Sequence, residues 1–381
     1  MARSQPDLTL GVEEEYLLVS LETGELIQEA PSAFMARCKA ALGDQVTHEL
    51  LQSQIEIGTK ICRDVNEVRQ ELQHLRQTLA ELAEGEGMGL LAASTHPSAS
   101  WRDQHSVDLD RYRLLTQDFQ AIARRLVICG MHVHAGISDD DLRIDLMNQV
   151  TYFLPHLLAL SSSSPFWEGH NTGLKSFRPT IFGDLPRSGL PSAFDSFSEY
   201  QLLLDDLNET GLCTDPTKIW WDIRPSVHNP TLEMRICDVC TQVEDAVCIA
   251  ALFQATLATL YRLHQQNQQW RLYHPMLVAE NKWRAQRFGV HGELADFGRK
   301  KCFPFAELVS ELLALIETEA TALGCVDETK RAAKIANSGT SADHQLAVYQ
   351  AAIDQGQSAA SARRAVIDWL LQETTRFENA A

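Results

Sequence analysis

The stretch LTLGVEEEYLLVS at residues 8–20 decides the fold, because it places three consecutive glutamates inside an apolar strand pattern. Glutamate is disfavoured in strands. Side chains alternate across a strand, so Glu13 and Glu15 share one face while Glu14 points to the other. Two carboxylates about 7 Å apart on one face repel each other, and burial strengthens the repulsion. An exposed sheet face with solvated charge is the usual alternative, but the apolar flanks favour a cation site.

A second apolar segment, VTHELLQSQIEIGTKI at residues 46–61, is predicted to be one strand and carries Glu56. Glu49 precedes Glu56 by seven residues, which is an odd number. An ideal strand would therefore place these two acids on opposite faces. Both can reach one site only if a bulge or a bend intervenes.

Two further strands carry polar pairs on a single face. His132 and His134 lie in the predicted strand at residues 126–137, and such a pair is equally typical of a zinc site and of a hydrogen-bonded core pair. Glu233 and Arg235 share a face of a predicted strand at residues 231–238, which forms a hairpin with residues 219–225. The alternative for this second pair is a surface ion pair that contributes little to stability.

Many carboxylates, few histidines and no thiolate cluster favour a hard cation such as Mg²⁺, which takes oxygen ligands and bridges substrate phosphates. Arg235 could then grip a phosphate through two of its N–H groups. This is machinery for phosphoryl transfer, yet the sequence has no G-x-x-x-x-G-K-[ST] phosphate loop. Further basic residues could neutralise substrate anions, although a solvated face is the simpler explanation for any single one: Lys175, Arg178, Arg187, Lys282, Arg284 and Arg287.

Bulk composition excludes several classes of function. The formal net charge of -18 and the isoelectric point near 5.1 would repel nucleic acid, while a small anion such as ATP remains compatible with a bound cation. No stretch is expected to span a membrane, and the N-terminus has no apolar run like a signal peptide. The nine cysteines are scattered, and Cys237 and Cys240 lack a second pair, so we expect buried free thiols in the cytoplasm.

The order of elements predicts an α+β protein, an antiparallel sheet with helices packed on one face, within a single domain at residues 1–381. Strands dominate the first part of the chain, and the chain after residue 243 is expected to be almost wholly helical. The predicted helices occupy residues 66–84, 108–125, 139–160, 244–265, 275–288, 305–323 and 358–376.

Several of these motifs together resemble the type 2 glutamate–cysteine ligase family of YbdK-like carboxylate–amine ligases. The resemblance runs in order along nearly the whole chain and is looser at the C-terminal end, where His344 and Leu346 replace expected arginines. The matching runs are GVEEEYLLV at 11–19, ELLQSQIEIGT at 49–59, GMHVHAGI at 130–137, SSPFWEGHNTG at 163–173, RSGLPSAF at 187–194, RPSVHNPTLEMRICDV at 224–239 and ENKWRAQRFG at 280–289.

The resemblance implies a glutamine-synthetase-like sheet funnel and an ATP- and Mg²⁺-dependent (or Mn²⁺-dependent) amide-forming reaction through an acyl phosphate. Glutamate would supply the carboxylate and cysteine or another amine would accept it, and a homodimer is expected by analogy with the fold. The implied metal ligands are Glu13, Glu15, Glu49, Glu56, His132 and Glu233. The implied catalytic residues are Arg235 and Glu56, and the implied nucleotide contacts are Arg235, Lys282, Arg284 and Arg287.

Two alternatives remain open at the level of sequence. A zinc-dependent amidohydrolase could use His132 and His134, although such a barrel needs alternating strands and helices and further histidines. A non-catalytic relative that kept the fold is the other alternative. Against it stands the joint presence of Glu13, Glu56, Glu233 and Arg235.

Overall fold

The computed structural model describes residues 6–31 and 33–377. Its strands are β1 (Leu10–Ser20), β2 (Val46–His48), β3 (Gln54–Gly58), β4 (Met88–Leu91), β5 (Met131–Gly136), β6 (Phe166–Trp167), β7 (His170–Asn171), β8 (Ser188–Gly189), β9 (Trp220–Trp221), β10 (Ile223–Pro225), β11 (Thr231–Met234), β12 (Glu293–Asp296) and β13 (Lys301–Pro304). Seven of them form the main sheet, in the order β10-β11-β5-β1-β3-β2, with β4 also pairing with β1. All of its pairings are antiparallel, which confirms the α+β prediction.

Helices account for most of the remaining chain. They are α1 (Phe34–Leu42), α2 (Val65–Glu84), α3 (Asp110–Phe119), α4 (Ala121–Arg124), α5 (Asp140–Val150), α6 (Leu154–Ser161), α7 (Arg178–Phe182), α8 (Phe197–Glu209), α9 (Val243–Gln265), α10 (Pro275–Phe288), α11 (Phe305–Leu323), α12 (Val326–Ser338), α13 (Ser341–Asp354) and α14 (Ala359–Thr374). Helices α2 and α9 pack against the sheet at β1, and this leaves the opposite face of the sheet open.

The helix-covered face of β1 explains how a strand with three glutamates can sit in the core. Glu14 is fully buried on this face, where Arg76 of α2 binds both of its carboxylate oxygens at 2.7 and 2.9 Å. Tyr16 donates a third hydrogen bond to the same carboxylate. The remaining donors of Arg76 reach the carbonyl oxygens of Cys240 and Thr241, at 2.8 and 2.7 Å. A buried charge is tolerated when it is paired and hydrogen-bonded.

Helix α2 forms as its sequence pattern predicts. Asp64 caps its first turn by accepting from the backbone N–H groups of Asn66 and Glu67, at 2.9 and 3.0 Å. Its buried stripe follows the predicted three- and four-residue spacing, and this stripe consists of Val68, Leu72, Leu75 and Leu79. The stripe therefore holds Arg76 beneath the sheet.

Several predicted elements are shorter or interrupted. The strand expected at residues 46–61 is two strands separated by a turn at residues 49–53. The helix expected at residues 108–125 breaks at Gln120, whose φ of 49° is incompatible with a continuous helix. The helix expected at residues 139–160 is divided by a 3₁₀ turn at Thr151–Phe153, just before Pro155. The β12–β13 hairpin interrupts the helical C-terminal half.

One helix contradicts the expectation that no segment is long enough to span a membrane. Within the described residues, α9 alone is long and apolar enough by that measure. However, 83% of its most apolar window is buried inside the protein. It packs against the sheet and against α2, α11 and α12, as the central helix of a core does.

Candidate active site

The open face of the main sheet is the floor of a cleft with a free volume of about 380 Å³. The sheet register determines which side chains meet there. Glu13 pairs with His132, Glu15 pairs with Glu56, and Glu233 pairs with His134, each across neighbouring strands. Directly paired residues point to the same face. Four strands that are far apart in the sequence thus contribute to one polar floor.

Two groups of possible metal ligands form on this floor and share one residue. Glu13, Glu56 and His132 make the first group, and Glu13, His134 and Glu233 make the second. Within each group, the potential ligand atoms lie within 4.8 Å of one another. Glu13 is therefore positioned to bridge two cations.

The donor atoms of the two groups fit hard divalent cations. Carboxylate oxygens predominate, and the Nε2 atoms of His132 and His134 are buried without a hydrogen-bond partner. Nδ1 of His132 lies 3.0 Å from Glu13, and Nδ1 of His134 lies 2.9 Å from the Thr231 hydroxyl, so both rings are held in place. Oxygen-rich sites in an open cleft suit Mg²⁺ or Mn²⁺, which retain waters and bridge phosphates.

The electrostatics of the floor favour cation binding. Burial, followed by the charge of Glu15, raises the pKa of Glu49 to about 7. Burial and the neighbouring acids Glu49, Glu13 and Glu15 raise the pKa of Glu56 well above its usual value. A nearby cation stabilises the charged form of a carboxylate. These two acids would therefore give up their protons more readily when a cation is bound between them.

Two acids of the floor, Glu13 and Glu233, are held ionised by basic neighbours. Burial would raise the pKa of Glu13, but the hydrogen bond with His132 and the proximity of His134 hold it far below its usual range. The pKa of Glu233 is also lowered, because Arg235 and Arg224 outweigh its burial. Burial and Arg235 lower the pKa of His132, which keeps the ring neutral and able to bind a metal.

The turn between β2 and β3 brings Glu49 to the cleft. It supplies the bend that the sequence argument required, so Glu49 and Glu56 line the same cavity despite their odd spacing. Glu49 accepts from the Leu50 backbone N–H at 2.9 Å, and Glu15 accepts from the Gly130 N–H at 2.6 Å. Neither Glu15 nor Glu49 belongs to either three-residue group, so both lie beside the two candidate sites.

Arg235 lies at the edge of the floor, above the second group. Its guanidinium pairs with Glu233, and Nη1 is 3.5 Å from Nδ1 of His132. Its Nε atom is buried and has no partner. A guanidinium with unused N–H groups next to two cation sites can bind a phosphate.

Arg178, at the start of α7, is a second cation of the cleft. It is 3% exposed, and its hydrogen bonds go to the carbonyl oxygens of Arg235 and Ile236, at 3.2 and 3.3 Å. No carboxylate in the described part of the chain lies within ion-pair distance of it. A buried guanidinium without an acidic partner can receive an anionic group of a substrate.

Three predicted nucleotide contacts lie elsewhere, because α10 directs them away from the cleft. Lys282 pairs with Asp222 at 2.7 Å, behind Arg235. Arg284 donates to the Glu293 carbonyl oxygen at 2.6 Å, and Arg287 donates to the carbonyl oxygen of Gly173. The expectation that these side chains contact a nucleotide finds no support in this arrangement.

Helices α3 and α4 form a roof over the cleft. Two ion pairs join the roof to the opposite wall, Asp118 with Lys218 at 3.5 Å and Arg125 with Asp184 at 2.7 Å. The ring of Phe119 also meets that of Trp220, with centroids 5.6 Å apart. These contacts hold the roof against the wall of the cleft that carries Lys218 and Trp220.

Sequence reasoning did not identify Arg224, which binds both oxygens of Glu233 at 2.9 and 3.2 Å. The predicted hairpin contained the necessary signal, because its register places Arg224 directly opposite Glu233. The structure also argues against the zinc hydrolase. His132 and His134 belong to separate groups, each with two carboxylates, and they lie on an antiparallel sheet rather than in a barrel.

Comparisons with known proteins show the family to which this chain belongs. The model of glutamate–cysteine ligase family 2 matches residues 9–367. A protein named "Putative glutamate--cysteine ligase 2" from Rhodospirillum rubrum is 53% identical over 97% of this chain and 96% of its own length. The protein of the same name from Jannaschia sp. is 48% identical over 97% of each chain.

Two solved structures share the fold at low sequence identity. The glutamate–cysteine ligase of Francisella tularensis, solved in complex with AMP, has a TM-score of 0.69 and 14% identity, covering 100% of this chain and 91% of its own. The bifunctional glutathione synthetase of Pasteurella multocida also has a TM-score of 0.69, with 15% identity, covering 96% of this chain and 52% of its own. These similarities show that the chain shares the fold of these two enzymes.

Proposed function

The chain belongs to glutamate–cysteine ligase family 2 and is an ATP-dependent ligase that forms C–N bonds, and we propose that it works through an acyl phosphate made on its carboxylate substrate. The observation that carries this proposal is the pair of ligand groups that share Glu13, with Arg235 beside them. Such a floor suits a triphosphate and a carboxylate that must approach each other.

Charge is the main obstacle to the first step. A carboxylate oxygen attacks the γ-phosphorus of ATP, the bond to the bridging oxygen breaks, and ADP leaves. Bound Mg²⁺ or Mn²⁺ would screen the repulsion between the two anions and neutralise the charge that develops on the phosphates. The ligands would be Glu13, Glu56, His132, His134 and Glu233, with Glu15 and Glu49 adjacent.

The basic residues of the cleft have separate tasks in this scheme. Arg235 has an unpartnered Nε–H group with which it would bind the transferred phosphoryl group. Arg178 would hold a carboxylate of the substrate that does not react. Arg178 is buried and the Arg235 side chain is only 12% exposed, and this strengthens their attraction for anions compared with a position in water.

In the second step, the amine attacks the acyl carbon, and the amide forms as inorganic phosphate leaves and the amine loses its proton. No protein nucleophile is needed. Cys129, which contacts Gln54 of the cleft lining, is fully buried, and burial raises the pKa of its thiol well above the usual value. We propose glutamate, through its γ-carboxylate, as the acid and cysteine or another amine as the acceptor, in keeping with the names of the relatives.

The whole chain is proposed to act as one catalytic unit, because the hydrophobic core runs without interruption from β1 to α14. A homodimer stays a prediction. Small molecules remain the proposed partners, since the acidic cleft floor gives no surface for nucleic acid.

An isotope experiment tests the reaction path. Acid and amine pairs are first screened for ADP release, and the best acid is then labelled with ¹⁸O in its carboxylate. One labelled oxygen is expected in the released phosphate, because the carboxylate oxygen that attacks phosphorus leaves with it. Unlabelled phosphate, or AMP and pyrophosphate in place of ADP, would contradict the acyl phosphate and indicate hydrolysis or adenylation.

A further inference from the structure

The cleft also has apolar side chains in its wall, in contrast to its acidic floor. This apolar wall consists of Leu50, Leu115, Leu126, Ile128, Phe182 and Leu185. Leu50, Ile128 and Leu185 are buried, and the other three are partly exposed to the cavity. Apolar side chains that face a cavity favour an apolar occupant, because such an occupant removes their surface from water.

This wall begins beside the carboxylates. The Ile128 carbonyl oxygen accepts from Nε2 of Gln54 at 2.6 Å, and Gln54 shares a face of β3 with Glu56. Gly130, two residues further along, donates to Glu15. On the other side of the cavity, the ring of Phe182 lies 5.4 Å from the guanidinium of Arg178. The wall is therefore next to the place where the acyl phosphate would form.

The position of the wall separates it from the other end of the cleft. Leu126 and Ile128 precede the first residue of β5. The turn that carries His228 and Asn229 lies beyond the last residue of β5, where Thr231 pairs with Gly136. A nucleotide base is separated from the transferred phosphate by a ribose and two further phosphates, so it belongs at a distance from the carboxylates rather than beside them.

We propose, on the basis of the proposed function, that this wall binds the side chain of the acceptor amine, and that the acceptor is an amine with a branched aliphatic or aromatic group. The side chain of cysteine has one carbon and one sulfur atom, and these two atoms would cover only a small part of the apolar surface that the six side chains of the wall present. A larger apolar group covers the side chains of the wall and excludes water from the acyl phosphate, which would otherwise be hydrolysed.

A series of acceptors tests this inference with the full-length enzyme. Release of ADP is measured with Mg²⁺, ATP, the acid that reacts fastest, and glycine, alanine, 2-aminobutyrate, leucine, phenylalanine, serine or cysteine as the amine. We expect kcat/KM for the acceptor to rise about fourfold for each added methylene, so leucine should exceed alanine by some tens of fold. Cysteine or serine as the best acceptor, or equal rates across the series, would overturn the inference.

Two substitutions locate the effect. Leu115→Asn, in the roof helix α3, and Leu126→Ala should each raise the KM of the apolar acceptor about tenfold or more and leave the KM of ATP unchanged. Leu114→Asn is the matched control, because Leu114 is the neighbouring residue of the same helix and is 54% exposed, so no change is expected. Thermal melting identifies any variant that does not fold. If one wall variant does not fold, the KM values of the other wall variant test the inference.

The outcomes separate this inference from the proposed function. A rise in the KM of ATP in both wall variants would assign the wall to the nucleotide base and overturn the inference, while the ligase reaction would stand. ADP release that is equally fast with small polar amines also leaves the ligase reaction standing and overturns the acceptor class. Absence of ADP release with every pair of substrates would overturn both.

Discussion

Arg224 lies directly opposite Glu233 across the β10–β11 hairpin, and its Nε and Nη2 atoms bind the two carboxylate oxygens at 2.9 and 3.2 Å. Its Nη1 atom reaches the carbonyl oxygens of Thr217 and Ile219, at 2.8 and 2.6 Å. One side chain thus fixes both a candidate metal ligand and the loop that borders the cleft. Partners that orient a ligand in this way commonly tune metal affinity.

Replacing Arg224 with lysine should weaken metal binding. The Arg224→Lys protein keeps the charge but cannot grip two oxygens and two carbonyls together. We expect Mn²⁺ affinity to fall by about 10- to 100-fold, measured by calorimetric titration of the protein without nucleotide. Arg102→Lys is the control, because Arg102 pairs with Glu168 on the surface. Equal Mn²⁺ affinity in both variants and the unmodified protein would show that Arg224 only supports the fold.

The shared position of Glu13 predicts a change in metal stoichiometry. Glu13→Gln should abolish turnover and reduce the number of bound Mn²⁺ ions at both sites, since Glu13 belongs to both ligand groups. Glu233→Gln should affect one site only. Equilibrium dialysis with Mn²⁺ measures both, and circular dichroism checks that each variant folds. If Glu13→Gln binds as many ions as the unmodified protein and turns over ATP normally, the bridging arrangement is wrong.

Arg235 should not tolerate lysine. A guanidinium offers several N–H groups in one plane, whereas an ammonium is a single point charge. Because Arg235 has an unpartnered Nε and lies beside the second ligand group, Arg235→Lys should lower kcat about 100-fold or more. Steady-state ADP release over a range of ATP concentrations measures the effect. An unchanged rate and an unchanged KM for ATP would assign Arg235 to a structural pair with Glu233.

Gly130 is predicted to matter because of Arg178. A Cβ atom at position 130 would lie 2.3 Å from Nη2 of Arg178, so Gly130→Ala should displace that guanidinium while the backbone stays in place. We expect a KM for the carboxylate substrate raised about tenfold or more, together with a nearly unchanged melting temperature. Gly87→Ala is an unsuitable control because of its positive φ, but Gly85→Ala is suitable, since its Cβ would make only ordinary contacts. A normal KM in Gly130→Ala would remove Arg178 from substrate binding.

The folded protein should become less stable as the pH falls, because His96 is buried in its neutral form. Burial lowers the pKa of His96 to about 4, while Nε2 donates to the Gly24 carbonyl oxygen and Nδ1 accepts from two backbone N–H groups. The unfolded chain therefore binds a proton between about pH 6.5 and 4 that the folded protein does not bind. The free energy of unfolding should decrease by up to about 3 kcal/mol through this window as the pH falls.

Urea unfolding in the presence of a chelator measures this dependence. His96→Gln can keep a donor for Gly24 and has no group that titrates, so its stability should depend less steeply on pH in the same window. An identical slope in His96→Gln and the unmodified protein would mean that other groups, such as the buried His156, account for the loss.

Part of the site follows from the sequence alone, because alternation along a strand is a local property. It places Glu13 with Glu15, His132 with His134, and Glu233 with Arg235. The pairing of Glu13 with His132 joins strands more than 110 residues apart, and strand order is not contained in any local pattern. Glu49 and Glu56 can reach one site only if the chain bends before β3, but the residues around Glu49 do not predict that bend.

For the basic residues, the nucleotide contacts stay a prediction, because the sequence does not determine which way these side chains point. Lys282, Arg284 and Arg287 lie close together in the sequence, on one predicted helix. The direction in which each side chain points, however, depends on what the helix packs against. Helix α10 packs against α6 and β12, and in this position Lys282 forms an ion pair with Asp222 and Arg284 forms one with Glu293. Arg178 was one of many cations in the sequence, and only its burial without an acidic partner distinguishes it.

The opposite environments of the two faces of β1 make the strand intolerant of changes in length. Inserting or deleting one residue within it would turn Glu14 toward the cleft and turn both Glu13 and Glu15 toward helix α2. On that side, the guanidinium of Arg76 can neutralise only one carboxylate. Such a mutant would lose its cation ligands and its buried charge balance at the same time. We therefore expect insertions and deletions to be tolerated in the turn after Ser20 and not within the strand itself.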